Sequence, residues 1–87
     1  MACMGIELAE QAEADIEKLP VAMFARYEDV VVRLLKWPQV SGVKWLTADW
    51  KGHARIRLGD YRLIFHLLGD EVIVIDRVAH RKEVYVD

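Results

Sequence analysis

Residues 51–85 read KGHARIRLGDYRLIFHLLGDEVIVIDRVAHRKEVY, and the two dipeptides Gly59-Asp60 and Gly69-Asp70 inside them decide the fold. Each dipeptide separates runs rich in β-branched, aromatic and other apolar residues. Gly at the first position of a two-residue loop suits a type II′ hairpin turn, and Asp tolerates the second. Three antiparallel strands are therefore expected, over residues 53–58, 61–68 and 71–79.

The turns also set a register. With Gly59 and Asp60 as the loop, Leu58 lies opposite Tyr61 and side chains alternate between the two faces of the sheet. One face then carries Ala54, Ile56, Leu58, Tyr61, Leu63 and Phe65, which is a core face. The other carries His53, Arg55, Arg57, Arg62, Ile64 and His66, with Arg57 directly across from Arg62. The same parity carried through the second turn places Arg77 opposite Arg62 and brings Arg81 to this face. It also places Asp76 on the core face, where it either pairs with a helix residue or marks a bulge; a one-residue bulge before Arg77 would flip Arg77 and undo part of the cluster. Like charges facing each other in a sheet cost up to about 1 kcal/mol per pair. Antiparallel sheets do leave one face in water, where arginine is an ordinary residue. Arginines converging from three strands, opposed mainly by Asp60 and Glu71 near the turns, nevertheless point to an anion site.

The 87 residues suffice for one small domain, spanning 1–87, with a modest core. The opening, MACMGIELAEQAEAD, turns acidic before any long apolar run, so no signal peptide or membrane span is expected and the protein is read as cytoplasmic. Cys3 alone makes no internal disulfide and reads as incidental. The net charge of −2 is uneven: residues 1–43 hold 4 Lys and Arg against 7 Asp and Glu, residues 44–87 hold 8 against 7. Between Lys51 and Arg62 the balance is 4 to 1. Non-specific coating of nucleic acid is disfavoured, whereas a focused phosphate site is not.

Before the sheet, residues 2–8 suit a short first strand. Residues 9–19 suit a helix with Ala12, Ile16 and Leu19 on one side, ended by Pro20; residues 21–37 suit a second, ended by Pro38. The expected fold is α+β, an antiparallel helix hairpin packed on one face of a three- to four-stranded antiparallel sheet. The connection over 38–52 contains Trp45 and Trp50, which read as plugs for the edge of the core, with stacking on unpaired bases as the functional alternative.

No Gly-rich phosphate loop, no Cys/His metal spacing and no nucleophile set is present, so neither metal nor cofactor is expected. The three histidines, His53, His66 and His80, stand too far apart for a spacing argument, and His66 reads as structural. His80, Arg81 and Tyr85 at the end of the third strand place an imidazole and a phenol near several guanidinium groups. Such a set suits phosphodiester cleavage without metal, with guanidinium groups stabilising charge on phosphate and an imidazole moving protons.

Gly59-Asp60-Tyr61-Arg62, Arg77-Val78-Ala79-His80-Arg81 and Glu83-Val84-Tyr85 resemble the RelE branch of the RelE/ParE toxin superfamily. The resemblance runs back through Arg55-Ile56-Arg57 to Glu17-Lys18-Leu19-Pro20 and so covers nearly the whole chain. It implies a bacterial type II toxin-antitoxin toxin with two helices on an antiparallel sheet. RelE-type members cleave mRNA in the ribosomal A site, the 2′-hydroxyl attacking to leave a 2′,3′-cyclic phosphate, and a cognate antitoxin wraps the toxin, a complex expected also on operator DNA. By the resemblance Arg62 and Arg81 hold the scissile phosphate and Tyr85 orients the nucleotide. Arg55 and Arg57 fall where the best-known member has lysines; with Lys51, His53 and Arg77 they are expected to bind RNA phosphate.

Arginine keeps its proton at working pH, so the general base must be another group. His80 is the first candidate and His53 the second, histidine serving this way in other RelE-like toxins. The chain departs from the basic, ribosome-directed members in its slight acidity, and ends two residues after Tyr85, without the C-terminal helix of some members. The sequence thus reads as a ribosome-dependent mRNA endonuclease toxin. The alternatives are a ParE-like inhibitor that binds DNA gyrase, and a degenerate toxin keeping only antitoxin binding.

Overall fold

The computed structural model describes residues 4–84; Cys3 and Tyr85 lie outside them. The chain runs β1 (Gly5–Leu8), α1 (Glu10–Glu17), α2 (Val21–Leu34), β2 (Lys44–Trp45), a short 3-10 turn (Ala48–Trp50), β3 (Ala54–Leu58), β4 (Tyr61–Leu68), β5 (Val72–His80) and α3 (Arg81–Val84). The expected α+β architecture is present. The sheet has five strands rather than three or four, in the order β1-β5-β4-β3-β2. β1 lies parallel to β5, and the other neighbours are antiparallel. The added strand, β2, has two residues inside the expected connection, too few to show an alternation.

The helices are shorter than expected at their C-terminal ends. In α1 the backbone N–H groups of Lys18 and Leu19 turn back to Asp15 and Ile16, and Pro20 then caps α2. Both helices cover the predicted core face. Ala12, Val30 and Leu34 pack with Ala54, Ile56, Leu58, Leu63, Phe65, Ile73, Ile75 and Val78, all buried. Trp37 closes one end, its ring edge-on to Phe65 at 5.6 Å.

The first hairpin has the expected register, with Leu58 opposite Tyr61 and Arg57 opposite Arg62. Gly59 takes φ +60 while Asp60 stays out of the left-handed region, as a type II′ turn requires. The second hairpin differs in two places. Leu68 pairs with Val72, so Gly69, Asp70 and Glu71 form a three-residue loop. That shift turns Ile73 and Ile75 inward, where both are fully buried. The register then slips again between Ile64 and Phe65, leaving Asp76 as the extra residue of a β-bulge. The two shifts offset each other in parity, but Arg77 lands opposite Ile64, and Arg62 opposite Ala79.

The opposite face is not simply solvated. Ile64, Ala79 and Val84 are buried there, with Leu46 and Trp50 packed against them. Trp50 therefore plugs the edge as expected, whereas Trp45 is half exposed and lies edge-on to Trp37 at 6.2 Å.

Candidate functional site

Arg55, Arg57 and Arg62 reach one face of the β3–β4 hairpin from alternate positions, because the tight Gly59-Asp60 turn fixes their parity. Arg55 and Arg62 are only 8% and 5% exposed. Arg62 clamps the turn: its Nη1 donates to the carbonyls of Gly59 at 2.8 Å and Tyr61 at 3.0 Å. Its Nε is buried without a hydrogen-bond partner among the described residues. Arg55 Nη1 donates to the Gly42 carbonyl at 3.3 Å. Arg57 is exposed and lines a groove with Arg26, Asp29 and Arg33 of α2 and with Gly59. Lys51 is exposed in the loop before β3.

Arg77 does not face Arg62 as the sequence suggested. Its Nε and Nη2 donate to Asp15 of α1 at 2.7 and 3.2 Å, in a bidentate pair. The Val78 N–H also donates to Asp15, at 3.0 Å. β1 ends at Leu8, opposite Ile75, and beyond that point Asp15 serves the edge of β5 where a neighbouring strand would otherwise do so. Burial pushes the Asp15 carboxyl upward, but the hydrogen bonds from Arg77, Val78 and Gln11 outweigh it and hold its pKa below the ordinary value.

The strand does not continue regularly to Arg81, which begins α3. The Arg81 backbone N–H donates to the Asp60 carbonyl at 2.8 Å. Its side chain is 56% exposed, with Nε 3.9 Å from the Asp60 carboxylate, a loose pair worth little in water. His80 was expected near several guanidinium groups. It instead pairs with Tyr61, whose ring it meets edge-on at 5.5 Å. The Lys82 N–H donates to His80 Nδ1 at 3.1 Å, so the neutral ring carries its proton on Nε2 and presents a donor there.

The structure gathers a group that sequence reasoning missed. The bulge turns Asp76 away from the core, and its Oδ2 accepts from His66 Nδ1 at 2.7 Å. His53 Nε2 stands 3.6 Å from the same oxygen, and the two imidazole rings are 5.0 Å apart. The histidines lie thirteen positions apart in sequence; the β3–β4 pairing brings them together. The surplus polar residue at position 76 was the one signal of the bulge.

Two helices on one face of this five-stranded sheet, with a cationic hairpin on the other, define the fold class of small toxins that solved structures share. The toxin–antitoxin complex RelBE2 from Mycobacterium tuberculosis matches with TM-score 0.77 and 27% identity, over 92% of this chain and 100% of that one. The archaeal RelE–RelB complex from Pyrococcus horikoshii OT3 matches with TM-score 0.71 and 27% identity, over 90% and 94%. The YoeB/ParE toxin from Agrobacterium tumefaciens shares the fold, with TM-score 0.79 at 15% identity, over 88% and 98%. No curated protein matches the sequence. The family model described as the ParE toxin of the type II toxin-antitoxin system parDE matches residues 6–85, and the chain belongs to that family, within the RelE/ParE superfamily. Among the described residues no helix is long and apolar enough to cross a membrane.

Proposed function

We propose that this toxin is an endoribonuclease that cleaves mRNA on the ribosome, under the control of a cognate antitoxin. The observation that carries the reading is the register of the first hairpin, which sets Arg57 against Arg62 with Arg55 two positions away on the same face. A sheet that accepts like charges in facing positions gains from an anion laid across them. RNA supplies that anion as its phosphates. In the reaction the 2′-oxygen bonds to the adjacent phosphorus, the bond from phosphorus to the 5′-oxygen breaks, the 2′-hydroxyl proton passes to solvent water, and a proton from water reaches the leaving 5′-oxygen. The products are a 2′,3′-cyclic phosphate and a 5′-hydroxyl. Guanidinium groups of the exposed Arg57 and Arg81 stabilise charge on the non-bridging oxygens, and Arg55 beneath them adds positive potential. Arg62 holds the turn that aligns them, and His80 offers its Nε2–H to the phosphate. Tyr85 is assigned to the reacting nucleotide by its place in the family motif.

The antitoxin has an apolar surface to cover: Val21, Phe24, Val32 and Leu35 of α2 and its C-cap are exposed, Val21 to 88%. Relatives solved as antitoxin–toxin complexes support such a partner.

A ParE-type activity, inhibition of DNA gyrase by binding, is the second reading, and the description of the matched family favours it. One experiment separates the two. The gene is induced without antitoxin and the 5′ ends of cellular RNA are mapped in wild type and in Arg81→Ala. Translation-dependent cuts within coding regions, reduced at least about a hundredfold by Arg81→Ala, are expected from loss of one charge-stabilising donor. Growth arrest with intact mRNA and halted replication would replace the nuclease with the gyrase reading.

A further inference from the structure

We infer that His53, His66 and Asp76 form a binding site for a divalent transition-metal ion, with Zn²⁺ the ion that fits best. The three donor atoms lie within 4.8 Å of one another. His53 and His66 side chains are 28% and 30% exposed and Asp76 is 20%, so an ion can enter from solvent.

The hydrogen bonds around the group indicate what belongs at its centre. The Lys51 carbonyl, 3.4 Å from His53 Nδ1, can only accept, so in the neutral ring Nδ1 carries the proton and Nε2 keeps a lone pair. That lone pair faces Asp76 Oδ2 at 3.6 Å, one acceptor set against another. A cation between them removes the conflict. A metal-ligating histidine ordinarily donates its second ring nitrogen to a carbonyl or carboxylate, which is the part the Lys51 carbonyl plays. Trp50 holds the other side of the His53 ring edge-on at 5.3 Å.

Donors about 2.0–2.1 Å from a tetrahedral ion lie about 3.4 Å from one another. The 3.6 Å gap between His53 and Asp76 is already of that size. The 2.7 Å contact between His66 and Asp76 opens by a small side-chain rotation when its proton is displaced. Two imidazoles and one carboxylate suit Zn²⁺, and three protein ligands leave a fourth position open. The ligands come from the lead into β3, from β4 and from the bulge of β5, so an ion would staple three segments across the sheet.

The test uses the purified full-length chain without an affinity tag, titrated with Zn²⁺ by calorimetry and with Co²⁺ by visible absorption. Saturable one-to-one binding in the micromolar range or tighter is expected, with the d–d bands of a four-coordinate ion. The thermal midpoint should rise as Zn²⁺ is added, because the ion binds the folded state. Asp76→Asn and His66→Ala should each weaken binding at least about tenfold, and His80→Ala should leave it unchanged. His53→Ala serves if either of those fails to fold, judged by circular dichroism. Absence of saturable binding by the folded wild-type chain, or undiminished binding in folded Asp76→Asn, would overturn the site and leave the cluster as a hydrogen-bonded ion pair.

Discussion

His80, the first candidate for general base, accepts a backbone hydrogen bond at Nδ1. A general base needs a lone pair aimed at the proton it takes, and removing such a base costs about 10²–10⁴ in rate. The Lys82 N–H occupies Nδ1, which leaves Nε2 as a donor. His80→Ala should therefore slow single-turnover cleavage of mRNA on ribosomes by only about tenfold, the scale of one hydrogen bond at about 1.4 kcal/mol. A loss of a thousandfold would show that the imidazole does exchange a proton with the substrate. Nothing in the sequence marks this difference, because the residue that decides it is a backbone N–H two positions downstream.

At the scale of elements, the β3–β4 hairpin was legible because Ala54-Arg55-Ile56-Arg57-Leu58 alternates strictly up to the Gly59-Asp60 turn and so marks the inward face. The β4–β5 hairpin was not. Val72-Ile73-Val74-Ile75 is an unbroken β-branched run, which carries no period by which to tell the inward face from the outward one. The extra loop residue and the bulge were both hidden there, and with them the positions of Arg77 and Asp76. The metal-type cluster was invisible for a related reason: its members meet through strand pairing, which no spacing along the chain encodes. The first turn offers a direct check. A Cβ on Gly59 would stand 2.8 Å from Arg26 Nη1, at φ +60. Gly69 has nearly the same backbone, φ +66, with open space around it. Each Gly→Ala change should cost about 1–2 kcal/mol for the left-handed backbone alone. Gly59→Ala should cost the more of the two, since the end of the Arg26 side chain must also move; urea unfolding of both variants measures the difference.

For the whole molecule, the bidentate pair between Asp15 and Arg77 ties the acidic helical half to the more basic sheet half. Removing one partner of such a pair leaves the other uncompensated. Asp15 is 8% exposed and Arg77 23%, so about 2–3 kcal/mol is expected for Asp15→Asn, less than for a wholly buried pair. The folded-state pKa of Asp15 is depressed. Its contribution is therefore complete above the unfolded value of about 3.9 and disappears as pH falls through the lower folded value. Unfolding free energies of wild type and Asp15→Asn should differ at pH 7 and converge toward pH 2, as the wild-type carboxyl takes up its proton.

The parallel pairing of β1 with β5 has a consequence for the order of events in the cell. Gly5 is partnered by Val72, so the first strand waits for 67 further residues before it has anything to pair with. At about 5–20 residues per second that wait is roughly 3–13 s. The helices emerge before the sheet that they cover, and β5 is the strand that joins the β3–β4 hairpin to β1. Until β5 has emerged, a nascent chain therefore lacks the strand that closes the sheet.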